Sequence, residues 1–413
     1  MDGATDRPTY GGRLRRCLGG KTVTPEMVDQ DAARLRHRLA QQISDEGNVR
    51  SPQWRDAVEN VPRHEFVPEF FTRVEAEAGP TLWDPVDPQR SGVRRWLELA
   101  YTDSSHVTQL DGHIAPSDVA SAVNGTPTSS STLPSLVVQM WEDLDVRDGD
   151  RVLEVGTGTG YSTALGCYRL GDENITSIEV DPTVAAKARQ ALDRVGYHPH
   201  LVAGDGLNGV PGGAPYDRII ATCGLRNVPP AWIAQAHPGT VILVTLSGWL
   251  GGTGLAKLTV TGAGAAEGRF LPGYVSFMPA RAHASQPAII PVLANGVPSR
   301  STAFGPDVIS SYGPAQMVAQ LAVPSAQYLQ LFADDGTPEH LVVQDDDSYA
   351  VFTGGPGDWS VRQGGPEQLW DKVERALARW HTSGEPGLET FRITVTPDHQ
   401  VIDVADWTGV LPT

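Results

Sequence analysis

The run Val152-Leu153-Glu154-Val155-Gly156-Thr157-Gly158-Thr159-Gly160 carries the clearest chemical signal in the chain. An apolar strand pattern leads into three alternating glycines, and a helical pattern opens at Tyr161. Glycine lets the backbone bend sharply and approach a ligand where a β-carbon would clash. A turn of this kind alone also serves nicotinamide and flavin enzymes. Three acids narrow the choice. Glu154 stands inside the strand, where a dinucleotide fingerprint usually has an apolar residue. Glu179, followed by Val180, ends the next strand, where a carboxylate can accept hydrogen bonds from both ribose hydroxyls. Asp205, within Gly204-Asp205-Gly206, ends the third and can accept from an adenine amino group. Acids at successive strand ends suit a ligand that carries a positive sulfonium and no phosphate. Gly156, Thr157, Gly158, Gly160, Tyr161, Glu154, Glu179, Val180, Gly204, Asp205 and Gly206 are therefore expected to hold S-adenosylmethionine. Thr222, just past the fourth strand, joins them by position, although a strand-end cap is the commoner use of such a residue.

The elements that must position these residues are legible around them. A helical pattern over 136–144 precedes the turn Asp148-Gly149-Asp150 and the strand 151–155. Helices at 161–170, 182–195 and 229–236 alternate with strands at 175–179, 200–203, 217–222 and 240–246. This rhythm predicts a doubly wound, mainly parallel α/β sheet of Rossmann-like methyltransferase type. Upstream, Met27, Ala32, Leu35, Leu39 and Ile43 mark a helix that Thr24 caps and Pro25 opens. A second helix runs from Ser51-Pro52 and stops before Pro62. Residues 79–96, rich in Gly, Pro and Asp, read as a loop within an insertion over 72–98. Beyond Ser285 the rhythm ends, and short strands near 341–343 and 349–352, a helix over 366–380 and a hairpin across 397–399 suggest a separate α+β domain. The expected organisation is a flexible segment 1–20, a helical substrate-side segment 21–134, a cofactor domain 135–284 and an accessory domain 285–413 for peptide recognition.

Bulk properties exclude several classes. Of 413 residues, 32 are Lys or Arg and 49 are Asp or Glu, a formal charge of −17. Nucleic acid is thus an unexpected partner. No run has membrane-spanning length and no apolar leader opens the chain. Cys17, Cys167 and Cys223 lack metal-ligand spacing and suit a reducing compartment, so a cytoplasmic protein is expected. Asp345-Asp346-Asp347 reads as a solvated turn rather than a metal loop.

Several phrases together resemble the protein-L-isoaspartate O-methyltransferases. They are Val61-Pro62-Arg63-His64-Glu65-Phe66-Val67-Pro68, Ala100-Tyr101-Thr102-Asp103, the glycine turn, Gly204-Asp205-Gly206, Ala214-Pro215-Tyr216-Asp217 and Pro238-Gly239. The resemblance spans roughly residues 25–280. The family's signature Gly-Gln-Thr-Ile-Ser-x-Pro falls on Thr128-Ser129-Ser130-Ser131-Thr132-Leu133-Pro134. Ser129 replaces its glutamine, Ser130 its threonine and Thr132 its serine. With the added residues 285–413, which have no counterpart in the repair enzymes as the resemblance is read, these departures look like a subgroup that modifies ribosomally made peptides, graspetides and lanthipeptides among them. The resemblance implies methylation of an aspartate side chain in a cyclised precursor peptide, leading to aspartimide or isoaspartate. A repair enzyme with an accessory domain is the alternative, and a non-catalytic peptide-binding module is a third reading.

On that resemblance the hydroxyls of Ser130, Ser131 and Thr132 are expected at the reacting centre, although such clusters also cap helices. Ser129 and His64 are expected to touch substrate; a histidine in such a phrase more often stabilises a turn. Arg63 is expected either to pair with an acid at a domain edge or to serve structure. Trp359, Trp370, Trp380 and Trp407 fit either a peptide-binding face or a small core.

Overall fold

The computed structural model describes residues 24–74, 81–262, 264–290, 296–332, 338–344 and 347–412. The flexible segment expected at 1–20, Cys17, Asp345 and Asp346 lie outside them. The chain divides into two compact units, Met1–Gly213 and Ala214–Thr413.

The first unit opens with α1 (Pro25–Asp45). Thr24 caps it through Met27 N, and Ala32, Leu35, Leu39 and Ile43 bury one stripe. Each large aliphatic chain so buried contributes about 1.5–3 kcal/mol. After α2 (Pro52–Asn60), a 3-10 turn at Arg63–Glu65 leads to β1 (Phe70–Val74). The expected loop over 79–96 is overturned in its described part. It contains β2 (Leu82–Val86), α3 (Pro88–Ser91) and α4 (Val93–Ala100). Tertiary pairing decides this: β2 ladders antiparallel onto β1, with Phe70 opposite Val86, and Trp83 packs on Phe71, Val107 and Leu110. In α4, Trp96, Leu97 and Ala100 are buried.

Next come β3 (His106–Leu110), β4 (Val123–Asn124) and β5 (Pro127–Ser131). With β1 and β2 they form a five-stranded sheet of order β4-β2-β1-β3-β5, which leaves β5 at an edge. Then α5 (Pro134–Leu144), β6 (Val152–Val155), α6 (Tyr161–Leu170), β7 (Ile175–Glu179), α7 (Pro182–Val195) and β8 (His200–Ala203) alternate as expected. β6, β7 and β8 are parallel neighbours. β6 and β7 are buried almost throughout, as a parallel sheet covered on both faces requires.

The second unit begins with β9 (Tyr216–Leu225), α8 (Pro230–Ala234) and β10 (Ala236–Ser247). β9 and β10 are parallel, and β11 (Thr253–Gly262) and β12 (Ala265–Phe270) follow antiparallel. After β13 (Arg300–Ser301), α9 (Asp307–Ser310) and α10 (Pro314–Ala322), β14 (Gln327–Phe332), β15 (Pro338–Val343), β16 (Tyr349–Thr353) and β17 (Ser360–Gly364) form a sheet of order β13-β17-β16-β15-β14. Then come α11 (Leu369–Thr382), β18 (Arg392–Val395), β19 (Gln400–Val404) and β20 (Trp407–Val410). β18 pairs with β12, so residues 392–410 extend the sheet that begins with β9. Chain order therefore does not separate everything after 285 from what precedes it. Ala266 and Phe270 on β12 and Ile393 and Val395 on β18 are buried. Trp370 is wholly buried against Phe352, which makes it core and corrects the peptide-face reading for that residue.

No helix of the described residues is long and apolar enough to cross a membrane. Among them, no cluster of His, Cys, Asp and Glu could hold a metal ion.

Candidate active site

The glycine turn sits between β6 and α6. Gly156, Gly158 and Gly160 have φ of +99°, +55° and +90°, a region other residues enter at a cost of about 1–2 kcal/mol. A β-carbon on Gly158 would lie 3.2 Å from the carbonyl oxygen of Ser130. Strand β5 and the glycine turn therefore touch at Ser130. At Gly160 a β-carbon would make only ordinary contact with Leu192 and Ala188 of α7, so the backbone conformation is what favours glycine there. Gly206 is a packing glycine: its β-carbon would collide with Val155.

Glu179 is half-buried at the end of β7. One carboxylate oxygen accepts from Gly158 N at 2.9 Å and the other from Asp181 N at 3.0 Å. Both lobes are thus aimed by backbone, and each oxygen keeps a lone pair for a ribose hydroxyl. Val180 beside it is 41% exposed, an apolar surface suited to a purine. Asp205 is exposed and accepts from Leu207 N. Gly204 N donates to the Glu179 carbonyl at 2.8 Å.

Three expected cofactor contacts are corrected. Glu154 has no exposed surface; its carboxylate accepts from Thr163 and Ser177 beneath the turn, and burial raises its pKa. Thr157 is buried with its hydroxyl on that of Ser177 at 2.7 Å. Tyr161 is 2% exposed. These three support the turn from below, because β6 and the first turn of α6 point inward under the parallel sheet's cover. Thr222 lies half-buried on β9 of the second unit.

The period of a strand divides the hydroxyl cluster. Ser129 and Ser131 are buried, whereas Ser130 and Thr132 are partly open. The Ser129 hydroxyl accepts from Thr108, and Ser131 Oγ is buried without a partner. Ser129 and Ser131, expected to meet substrate and the reacting centre, are thus buried side chains. His64 is corrected as well. It is buried, with Nδ1 2.6 Å from the Tyr101 hydroxyl and its ring edge-on to Trp96. Burial pulls its pKa down to about 3, so it is a neutral structural group.

Sequence reasoning gave several supporting residues no role. Asp103 Oδ1 accepts from Ser135 N and Ser105 Oγ accepts from Leu133 N, fixing the chain after β5. Gln109 on β3 donates to Asp181, which caps α7. Asp181 before Pro182 is a visible capping signal; the others are contacts between distant segments with no local signature.

The residues present fit S-adenosylmethionine. A backbone-aimed carboxylate, an exposed apolar neighbour, an acid at the next strand end and a turn of three positive-φ glycines suit a nucleoside with a sulfonium. Glu179, Val180, Asp205 and the Gly158 backbone would hold it. The fold and these residues thus suit an S-adenosylmethionine-dependent methyltransferase.

A family profile described as protein-L-isoaspartate(D-aspartate) O-methyltransferase matches residues 102–249. Similar curated proteins include a protein-L-isoaspartate O-methyltransferase of Ignicoccus hospitalis, 36% identical over 40% of this chain and 78% of its own length. One of Methanopyrus kandleri is 32% identical over 52% of this chain and 78% of its own. A solved structure titled protein-L-isoaspartate O-methyltransferase covers 90% of this chain and 99% of its own at TM-score 0.50 and 19% identity. That span is too long to come from residues before 285 alone. The likeness of fold therefore reaches past residue 285. The chain belongs to the protein-L-isoaspartate O-methyltransferase family, and its enzyme class is that of the protein carboxyl O-methyltransferases.

Proposed function

We propose that the acceptor is the side-chain carboxylate of an aspartate in a ribosomally made, cyclised precursor peptide. The observation that carries the reading is the contact between Ser130 of β5 and the glycine turn, with the side chains of Ser130 and, just past the strand, Thr132 partly open. In the family signature those positions hold a threonine and a serine, with a glutamine where Ser129 stands.

S-adenosylmethionine supplies an activated methyl group when bound. An aspartate is already ionised at neutral pH, so the protein need provide no general base. Ser130 and Thr132 hydroxyls donate to the acceptor carboxylate and set its angle of approach. Such alignment is worth up to about 7–11 kcal/mol of the barrier. The buried side chains beneath, Glu154, Thr157 and Thr163, keep the floor of the site fixed. After esterification, the backbone nitrogen of the next peptide residue attacks the ester carbonyl. Its N–H proton leaves with the methoxy group as methanol, and a five-membered imide remains. The region 285–391 is assigned to recognition of the peptide outside the reacting residue.

Repair of isoaspartyl sites in unrelated proteins is the second reading. Its support is the names of the similar curated proteins and the solved structure that spans the C-terminal region. One assay separates the two. A cyclised Asp-containing precursor and linear aspartyl and isoaspartyl isomers are each incubated with S-adenosylmethionine. The first reading expects the cyclised peptide to gain one methylene and then fall to one water below its starting mass. Turnover confined to the isoaspartyl isomer would replace it with the repair reading.

A further inference from the structure

Arg63 has no exposed surface. Its guanidinium reaches two stretches of main chain, 100–104 and 131–132. Nη1 donates to the carbonyls of Ala100 at 3.0 Å and Thr102 at 2.7 Å. Nη2 donates to Ser104 at 2.7 Å, Thr132 at 3.3 Å and Ser131 at 3.5 Å. The Tyr161 ring lies 5.8 Å from its central carbon. Burial lowers the guanidinium pKa to about 10, which still leaves it charged at neutral pH. A full charge is thus kept inside the protein and directed at neutral carbonyls, two of which belong to the hydroxyl segment.

That segment needs such a restraint. β5 is an edge strand with one ladder partner, β3. The ladder is irregular: its register shifts between Val107 and Gln109 and again between Gln109 and Leu110. A ladder broken by bulges specifies register weakly, and a slip of one residue turns every side chain to the opposite face. Here a slip would carry Ser129 and Ser131 to the open face and bury Ser130 and Thr132. Arg63 grips the carbonyls at the C-terminal end of β5, beyond the irregular part, while Ser105 and Asp103 hold the next amides.

We propose that Arg63 is a positioning residue, a buried cation that sets the register of β5 and so decides which hydroxyls face the methyl acceptor. The inference rests on the reading that Ser130 and Thr132 meet the carboxylate. Lysine at this position keeps the charge but cannot span both groups of carbonyls.

The test uses hydrogen exchange on the full-length protein without cofactor, followed by kinetics with aspartyl and isoaspartyl peptides. In the unaltered protein, amides of residues 129–133 should exchange as slowly as those of Val152–Val155. Rapid exchange there would overturn the proposal whether or not any variant folds. In Arg63→Lys, exchange should rise at 129–133 and stay unchanged at 152–155, and turnover should fall by about 100-fold, the cost of a small misplacement. Affinity for S-adenosylhomocysteine by calorimetry should change less than about threefold. An Arg63→Lys protein with native exchange at 129–133, or with native turnover, refutes the proposal. If instead Ser130→Ala and Thr132→Ala leave turnover intact, the reading of the hydroxyls fails by itself.

Discussion

Ser130 and Ser131 are adjacent and chemically identical, yet the strand gives them opposite surroundings. Ser130→Ala should lower kcat/KM by on the order of 10- to 100-fold, the value of about 1.5–3 kcal/mol for a hydrogen bond to a charged group. Ser131→Ala removes a buried hydroxyl with no partner. It should leave turnover unchanged and thermal stability equal or slightly raised, since an unsatisfied buried group costs about 1–3 kcal/mol. Equal kinetic losses in the two variants would contradict the assignment of faces. Glu179→Ala deletes the carboxylate that accepts from Gly158 and Asp181. Calorimetry should show a loss of at least about tenfold in S-adenosylhomocysteine affinity.

The 3-10 turn at Arg63–Glu65 with α4 and β3 forms a support that depends on neutral histidines. His64 and His106 are both buried, with pKa values lowered to about 3 by burial first and by a nearby arginine second. His106 also stacks on Phe70 at 4.2 Å. The unfolded chain takes up these protons near pH 6.5 and the folded chain does not. Stability is therefore complete above about pH 6.5 and falls as the pH drops from there toward 3, by about 1.4 kcal/mol per pH unit for each histidine. Glu154, with its raised pKa, acts with the opposite sign, so the measurement must be a difference. Urea unfolding between pH 7 and 5 should show a shallower pH dependence for a folded His64→Gln variant than for the unaltered protein. Parallel curves would show that His64 takes up its proton in the folded state as well.

At the level of the whole chain, β18–β20 complete the sheet of the second unit. A chain ended at residue 284 leaves the β12 edge unpaired and uncovers Ala266 and Phe270. Exposed edges of this kind recruit other chains. Such a truncated protein should aggregate on expression, as seen by size-exclusion chromatography. A version that retains 391–412, joined to 284 by a flexible linker, should recover soluble material. A monodisperse, folded product from the shorter chain would show that the late strands are dispensable.

The sequence by itself determined the parallel core and its ligand. Hydrophobic runs, capping signals and glycine spacing are local, and they marked β6, α6, β7, α7 and β8 in correct order. Tertiary structure decided what depends on partners far along the chain. Trp83 and Val86 are strand residues only because β1 lies beside them, and β18 joins β12 across more than a hundred residues. Burial, which no residue type announces, turned Glu154, Thr157, Tyr161 and His64 from ligand contacts into supports. The open face of β5 depends on register, and register is set by contacts such as those of Arg63, whose acceptors are backbone carbonyls with no signature in the sequence.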